Sequence, residues 1–163
     1  MTYEWIPATG IDVQDIVLMA EDNFQSEIDS IFKPEPVVYS RNITLAVVNQ
    51  FYNPLSTLIS VAKDDNGKLL AYTWAISTQT AAWSDDKMVV IRMAHVDLKL
   101  PIKLRIRLIN DMLKIWEAFA KYAHITIICS TTMRIDQSGF LKLHAKNGYD
   151  VRGSYAYKKI NLE

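Results

Sequence analysis

The stretch from Lys87 to Ser130 constrains the fold more than any other part of the sequence. Lys87–Asp97 alternates. Met88, Val90, Arg92, Ala94 and Val96 fall on one face, and Val89, Ile91, Met93, His95 and Asp97 on the other. Apolar side chains on both faces predict a central strand covered from both sides. Pro101 opens a helix predicted to run to about Tyr122, with Leu104, Leu108, Met112, Leu113, Trp116 and Phe119 in one broad apolar stripe. His124–Ser130 is apolar and β-branched, and predicts a second buried strand. Strand, long helix and strand make a parallel crossover, right-handed because strands twist that way. The helix must bury its stripe against the sheet.

The flanking segments follow the same rules. Tyr3–Ile6 predicts a first strand closed by Pro7. A helix follows from Gly10 and Asp12, with Ile11, Ile16, Met19, Ala20, Phe24 and Ile28 at helical spacing. Pro34 and Pro36 stop it, because proline has no amide hydrogen for a helix interior. A second helix is predicted over about Tyr39–Phe51. Thr57–Ala62 and Leu69–Ser77 form a hairpin around Asp64-Asp65-Asn66-Gly67, whose Asn-Gly pair tolerates positive φ. Gln137–Lys146 is the last predicted helix, with Asn147-Gly148 as its exit. Tyr149–Val151 and Ser154–Ile160 are the last predicted strands. The expected fold class is α/β in the α+β sense: a mixed sheet with helices on both faces, in a single domain spanning residues 1–163.

Half of the 163 residues are apolar and 22% are charged, which supplies a core and excludes a wholly disordered chain. Eighteen basic residues balance eighteen acidic ones, so a globally basic nucleic-acid binder is not expected. Cys129 stands alone, which excludes an intrachain disulfide and a multi-cysteine zinc site. It lies in an apolar run and is read as core. No His or carboxylate pattern implies a metal. Apolar runs such as Met88–Ile91 and Ile125–Cys129 fall far short of the roughly 18 residues that span a bilayer. Met1-Thr2-Tyr3-Glu4 carries no basic region ahead of an apolar stretch, so no secretory signal is expected and a cytoplasmic location is. Charge is uneven. Residues 1–36 hold eight acids and one base, and residues 99–121 hold six bases and two acids. The two regions are read as solvated faces, or as faces for different partners.

Two segments resemble the GNAT superfamily of acyl-CoA-dependent N-acetyltransferases, and the element order over about Leu58–Ile160 looks like that family. The first segment is Met93-Ala94-His95-Val96-Asp97-Leu98-Lys99-Leu100-Pro101-Ile102-Lys103-Leu104-Arg105-Ile106-Arg107-Leu108. The resemblance implies a mostly antiparallel twisted sheet and acetyl-CoA as cofactor. The backbone of Ala94 and Val96 would meet the pantetheine arm, and Lys103, Leu104, Arg105, Ile106 and Arg107 the pyrophosphate. A helix start suits phosphate through its free amides and dipole. The family loop normally carries glycines in an R-x-x-G-x-G/A arrangement, and this one has none. Three cations stand there at i, i+2 and i+4. Either side chains replace glycine amides, or the loop does not bind CoA.

The second segment is Phe140-Leu141-Lys142-Leu143-His144-Ala145-Lys146-Asn147-Gly148-Tyr149. Lys146, Gly148 and Tyr149 match the late helix of the family. His144 stands where the family usually has a tyrosine that protonates the departing thiolate, and imidazole can do the same. Asp97 and His95 are candidate bases for the amine, or a strand cap and a satisfied core histidine. Ser130 is a candidate partner of a pantetheine amide. The resemblance implies transfer of an acetyl group to an amine-bearing small molecule or protein. The alternative is a GNAT-fold chain without catalysis, a structural or binding component of a larger assembly such as a phage virion.

Overall fold

The computed structural model describes residues 2–28, 31–153 and 158. Five strands form one sheet in the order β1-β2-β3-β4-β5: β1 (Tyr3–Pro7), β2 (Thr57–Asp64), β3 (Leu69–Thr80), β4 (Lys87–Val96) and β5 (Ile127–Cys129). The first three pairings are antiparallel, and β4 with β5 is parallel. Helices α1 (Val13–Ser26), α2 (Pro36–Tyr52), α3 (Ile102–Tyr122) and α4 (Ser138–Lys146) complete the fold. This is the expected mixed, mostly antiparallel sheet.

Each face of the sheet has its own core. Ile16, Met19 and Ala20 of α1 and Ile43 and Ala46 of α2 pack with Ile59, Val61 and Tyr72. Leu108, Met112, Leu113 and Trp116 of α3 and Phe140 of α4 pack with Ala62, Leu70, Val89 and Val96 on the other side. Trp116 donates its Nε1–H to Thr73 Oγ1 at 2.8 Å, and Thr73 donates to the Met93 carbonyl at 3.0 Å. That relay fixes α3 to β3 and β4. Asp12, 2% exposed, takes the Thr9 amide and hydroxyl and pairs with Lys63, tying the entry of α1 to β2. Among the described residues, no helix is long and apolar enough to cross a membrane.

Four sequence expectations are corrected. Trp74 pairs with Met93 and Ala75 with Ile91, so Arg92 is an extra residue in β4. Such a bulge reverses the phase of a strand. Val89 and Ile91 before it therefore share the α3 core with Ala94 and Val96 after it, and the unbroken alternation predicted across Lys87–Asp97 does not hold. The helix expected from Tyr39 begins at Pro36, since the first helical position needs no amide hydrogen. The strand expected over His124–Ser130 contracts to Ile127–Cys129. His124 adopts φ 55°, with His124 N–H on the Lys121 carbonyl and Ile125 N–H on that of Ala120. That is a helix exit of the Schellman type, and it uses up the first residues of the expected strand. Tyr149–Val151 forms no strand. Tyr149 closes α4 in the same way, with its N–H on the His144 carbonyl and Gly148 at φ 82°. The expected strand Ser154–Ile160 lies outside the described residues, Lys158 apart.

Candidate functional site

The site follows from the unequal lengths of β4 and β5. Their pairing covers only Met88–Val90 against Ile127–Cys129, while β4 continues to Val96. Beyond Val90 the strands part. A small cavity of about 110 Å³ fills the opening, bounded by Ile91–His95 and Thr131–Arg134. On the α3/α4 face lies a cleft of about 590 Å³, lined by Arg105, Ile106 and Ile109 of α3 and by Phe140, Lys142 and Lys146 of α4. On the α1/α2 face lies a chamber of about 290 Å³. Arg134 and Phe140 form walls of both cleft and opening. Phe24, Ile28, Met93 and Met133 form walls of both opening and chamber. The three hollows thus adjoin one another across shared walls.

Side chains already engage two carbonyls of β4, one of them in the opening. Arg134 donates from its NH2 nitrogen to the Ala94 carbonyl at 2.6 Å, and Asn23 donates from Nδ2 to the Val96 carbonyl at 3.0 Å. The Arg134 guanidinium lies over the Phe140 ring at 4.3 Å, with its Nε 3.7 Å from Glu27. Glu27 also meets Arg105 at 3.3 Å. Ile135 N–H reaches the Glu27 carbonyl, and Arg134 bridges Ile28, so the chain after β5 is laced to the end of α1.

The three cations at the start of α3 do not converge. Residues two apart on a helix face different ways. Arg105 faces the cleft with Ile106. Lys103 is exposed, and Arg107 lies over the Tyr3 ring at 5.0 Å, beside the Tyr3–Asp111 hydrogen bond. Leu104 packs against the α3 core. The amides of Leu104 and Arg105 are both bound to the Pro101 carbonyl.

The three proton-handling candidates are separate from one another. His95 is 3% exposed, lines the opening, and holds Tyr72 Oη at 2.8 Å through Nδ1. Tyr72 Oη in turn meets Tyr39 Oη at 2.7 Å. Burial, then the nearby Arg134 charge, pushes the His95 pKa down to about 3, so the ring is neutral. His144 is also 3% exposed. Its Nδ1 can only donate to the Phe140 carbonyl, at 2.9 Å, which leaves Nε2 to accept from Ser130 Oγ at 2.9 Å. Burial lowers its pKa too; the Phe140 carbonyl works against that shift and Arg134 adds to it. Asp97 faces a different hollow, with Asp15 and Asp22 of α1. Burial raises its carboxyl pKa, but the Lys68 ammonium at 2.7 Å and the Lys99 amide outweigh that and hold it below the usual range.

Sequence reasoning missed Asn23, Glu27, Arg134 and Lys142. Asn23 left a trace, as an amide beside the apolar stripe of α1. Lys142 left another, four residues before Lys146 on one helix face. Glu27 and Arg134 lie just outside helices, where periodicity carries no information.

No family model matches the chain, and no curated protein matches it by sequence. Solved structures do. An aminoglycoside antibiotic 6'-N-acetyltransferase from Acinetobacter baumannii superposes with a TM-score of 0.69 at 14% identity, covering 99% of this chain and 100% of that one. Glucosamine-6-phosphate N-acetyltransferase from Arabidopsis thaliana gives 0.68 at 12% identity, with 99% and 100% covered. A predicted acetyltransferase from Clostridium acetobutylicum, solved with acetyl-CoA, gives 0.66 at 14%, with 97% and 96% covered. At these identities the likeness is one of fold: the chain has the GNAT N-acetyltransferase fold.

Proposed function

We propose that the chain is an acyl-CoA-dependent N-acetyltransferase acting on a primary amine. The opening between β4 and β5 carries this reading. It lies between a cleft whose lining carries four cations (Arg105, Arg134, Lys142 and Lys146) against two carboxylates (Glu27 and Asp136) and a largely apolar chamber on the other face. Transfer between two substrates needs both held against one another, and entry from opposite faces allows it. The neighbour solved with acetyl-CoA supports the donor.

The cleft suits a CoA pyrophosphate on its own chemistry. Arg105 Nε is buried without a partner, and Lys142 and Lys146 line the same cleft. We assign phosphate binding to Arg105, Lys142 and Lys146, side chains doing what glycine amides do in the family. The backbone at Ala94 and Val96 is left for the pantetheine arm once Arg134 and Asn23 release the two carbonyls. Acetyl-CoA supplies an acetyl thioester. His95, neutral and on the wall of the opening, is assigned a hydrogen bond to the reacting groups and not the role of a strong base. As the amine nitrogen bonds to the acyl carbon and the C–S bond breaks, the proton the amine loses passes to the departing thiolate, and Ser130 Oγ–H, oriented by His144 Nε2, is assigned the hydrogen bond that relays it. Asp97, held by Lys68, is assigned the turn into α3.

One observation favours a second reading, a GNAT-fold binding component without catalysis: both β4 carbonyls are already satisfied within the chain. Calorimetric titration with acetyl-CoA separates the two. Dissociation in the micromolar range, weakened at least about tenfold in Arg105→Ala/Lys142→Ala, supports transfer. No heat at millimolar ligand retires it in favour of the binding component.

A further inference from the structure

We infer that the acceptor is a compact apolar amine, a primary ammonium on an aromatic or branched alkyl body, and not a sugar amine. This rests on the acetyl-transfer reading and names the substrate of that same site. The chamber between α1 and α2 has walls from Val17, Phe24, Val38, Tyr39 and Met93. Its uncharged polar side chains are Tyr39, whose Oη is already committed to Tyr72, and Asn42. A polyhydroxylated sugar would bring hydroxyls out of water with little to pair them, which is costly. An alkyl or aryl body leaves no such debt and gains by burial. At about 290 Å³ the space is at the small end for ligand sites.

The charged lining of the chamber supplies the charge preference. Glu21 and the exposed Glu35 line the chamber, with Lys33 the one lysine among the described lining residues, and they belong to the acidic first quarter of the chain. Carboxylates on a low-dielectric lining attract an ammonium and repel a carboxylate or phosphate. The amine then leads inward past Phe24 and Met93 to the opening, and the apolar body follows into the chamber. Two of the neighbouring acetyltransferases are named for an aminoglycoside antibiotic and for glucosamine 6-phosphate.

The test follows thiol release from acetyl-CoA with 2-phenylethylamine, glucosamine 6-phosphate and kanamycin as acceptors. We expect kcat/KM for 2-phenylethylamine to lead by at least about tenfold. We also expect Glu21→Gln/Glu35→Gln to raise the amine KM about threefold at low salt and leave the acetyl-CoA KM in place. Preference for either sugar amine overturns the inference while acetyl transfer stands. A calorimetric arm without acetyl-CoA covers the case in which transfer itself fails. Binding of 2-phenylethylamine that Val38→Trp abolishes, in protein shown folded by circular dichroism, supports the chamber. Absence of binding to the unmodified chain at millimolar amine overturns it.

Discussion

His124 holds the exit of α3 in the left-handed region at φ 55°, where a Cβ atom crowds the following carbonyl. The Schellman hydrogen bonds of His124 and Ile125 offset that cost without needing the imidazole. Glycine removes the crowding and returns part of the gain through its freer unfolded chain. His124→Gly is expected to stabilise the fold by about 0.5–1 kcal/mol, read from the urea midpoint at unchanged slope. His95 works in the opposite direction. Its pKa is about 3 in the fold against an ordinary 6.5, so between those values the unfolded chain binds the extra proton. Its stabilising contribution is complete above pH 6.5 and is lost as pH falls toward 3. Between pH 7.5 and 5 that loss comes to about 2 kcal/mol. His95→Gln is expected to flatten the acid limb of stability against pH. The limb will not vanish, because the lowered pKa of His144 has the same sign.

At the scale of elements, legibility followed the length of the pattern. The stripe of α3 repeats over 21 residues, and the strand–helix–strand crossover could be read from it. The β4 bulge left no mark, since Arg92 is an ordinary residue in an alternating run and its extra place shows only against β3. Nor did His124, which is neither glycine nor asparagine, announce the exit that shortens β5. The engaged carbonyls of β4 were hidden for a different reason. Asn23 reaches a carbonyl 73 residues away and Arg134 one 40 residues away, and no local spacing encodes such pairs. Those two contacts have separable consequences. Asn23 sits inside α1 and joins it to β4, so Asn23→Ala is expected to cost about 1–3 kcal/mol of stability. Arg134 lies on the chain after β5 and occupies the Ala94 carbonyl, which the function proposed above leaves to a pantetheine arm. Arg134→Ala is expected to tighten acetyl-CoA binding severalfold in calorimetry. Equal acetyl-CoA affinity in Arg134→Ala and the unmodified chain would show that the carbonyl contact does not compete with the arm.

Across the whole molecule, one sheet serves two cores that share no side chain among the described residues. Val61 belongs to the α1/α2 side and its neighbour Ala62 to the α3 side, so the strands cannot lose one core without exposing the backs of residues in the other. That coupling predicts a single cooperative unit, although the two helical layers come from different halves of the chain. Ile43 and Leu113 test it, because each is fully buried and they lie on opposite faces. Ile43→Ala and Leu113→Ala are each expected to cost about 2–5 kcal/mol. Having no shared partner, they should combine additively in any background stable enough to measure. The decisive measurement is urea unfolding followed by far-ultraviolet and near-ultraviolet circular dichroism. Each variant should shift both signals to one common, lower midpoint. If Ile43→Ala instead moved only part of the signal and left a second transition where it was, the α1/α2 layer would unfold by itself. The opening between β4 and β5 would then lie between two units of separate stability, and an amine bound between α1 and α2 would stabilise only its own layer.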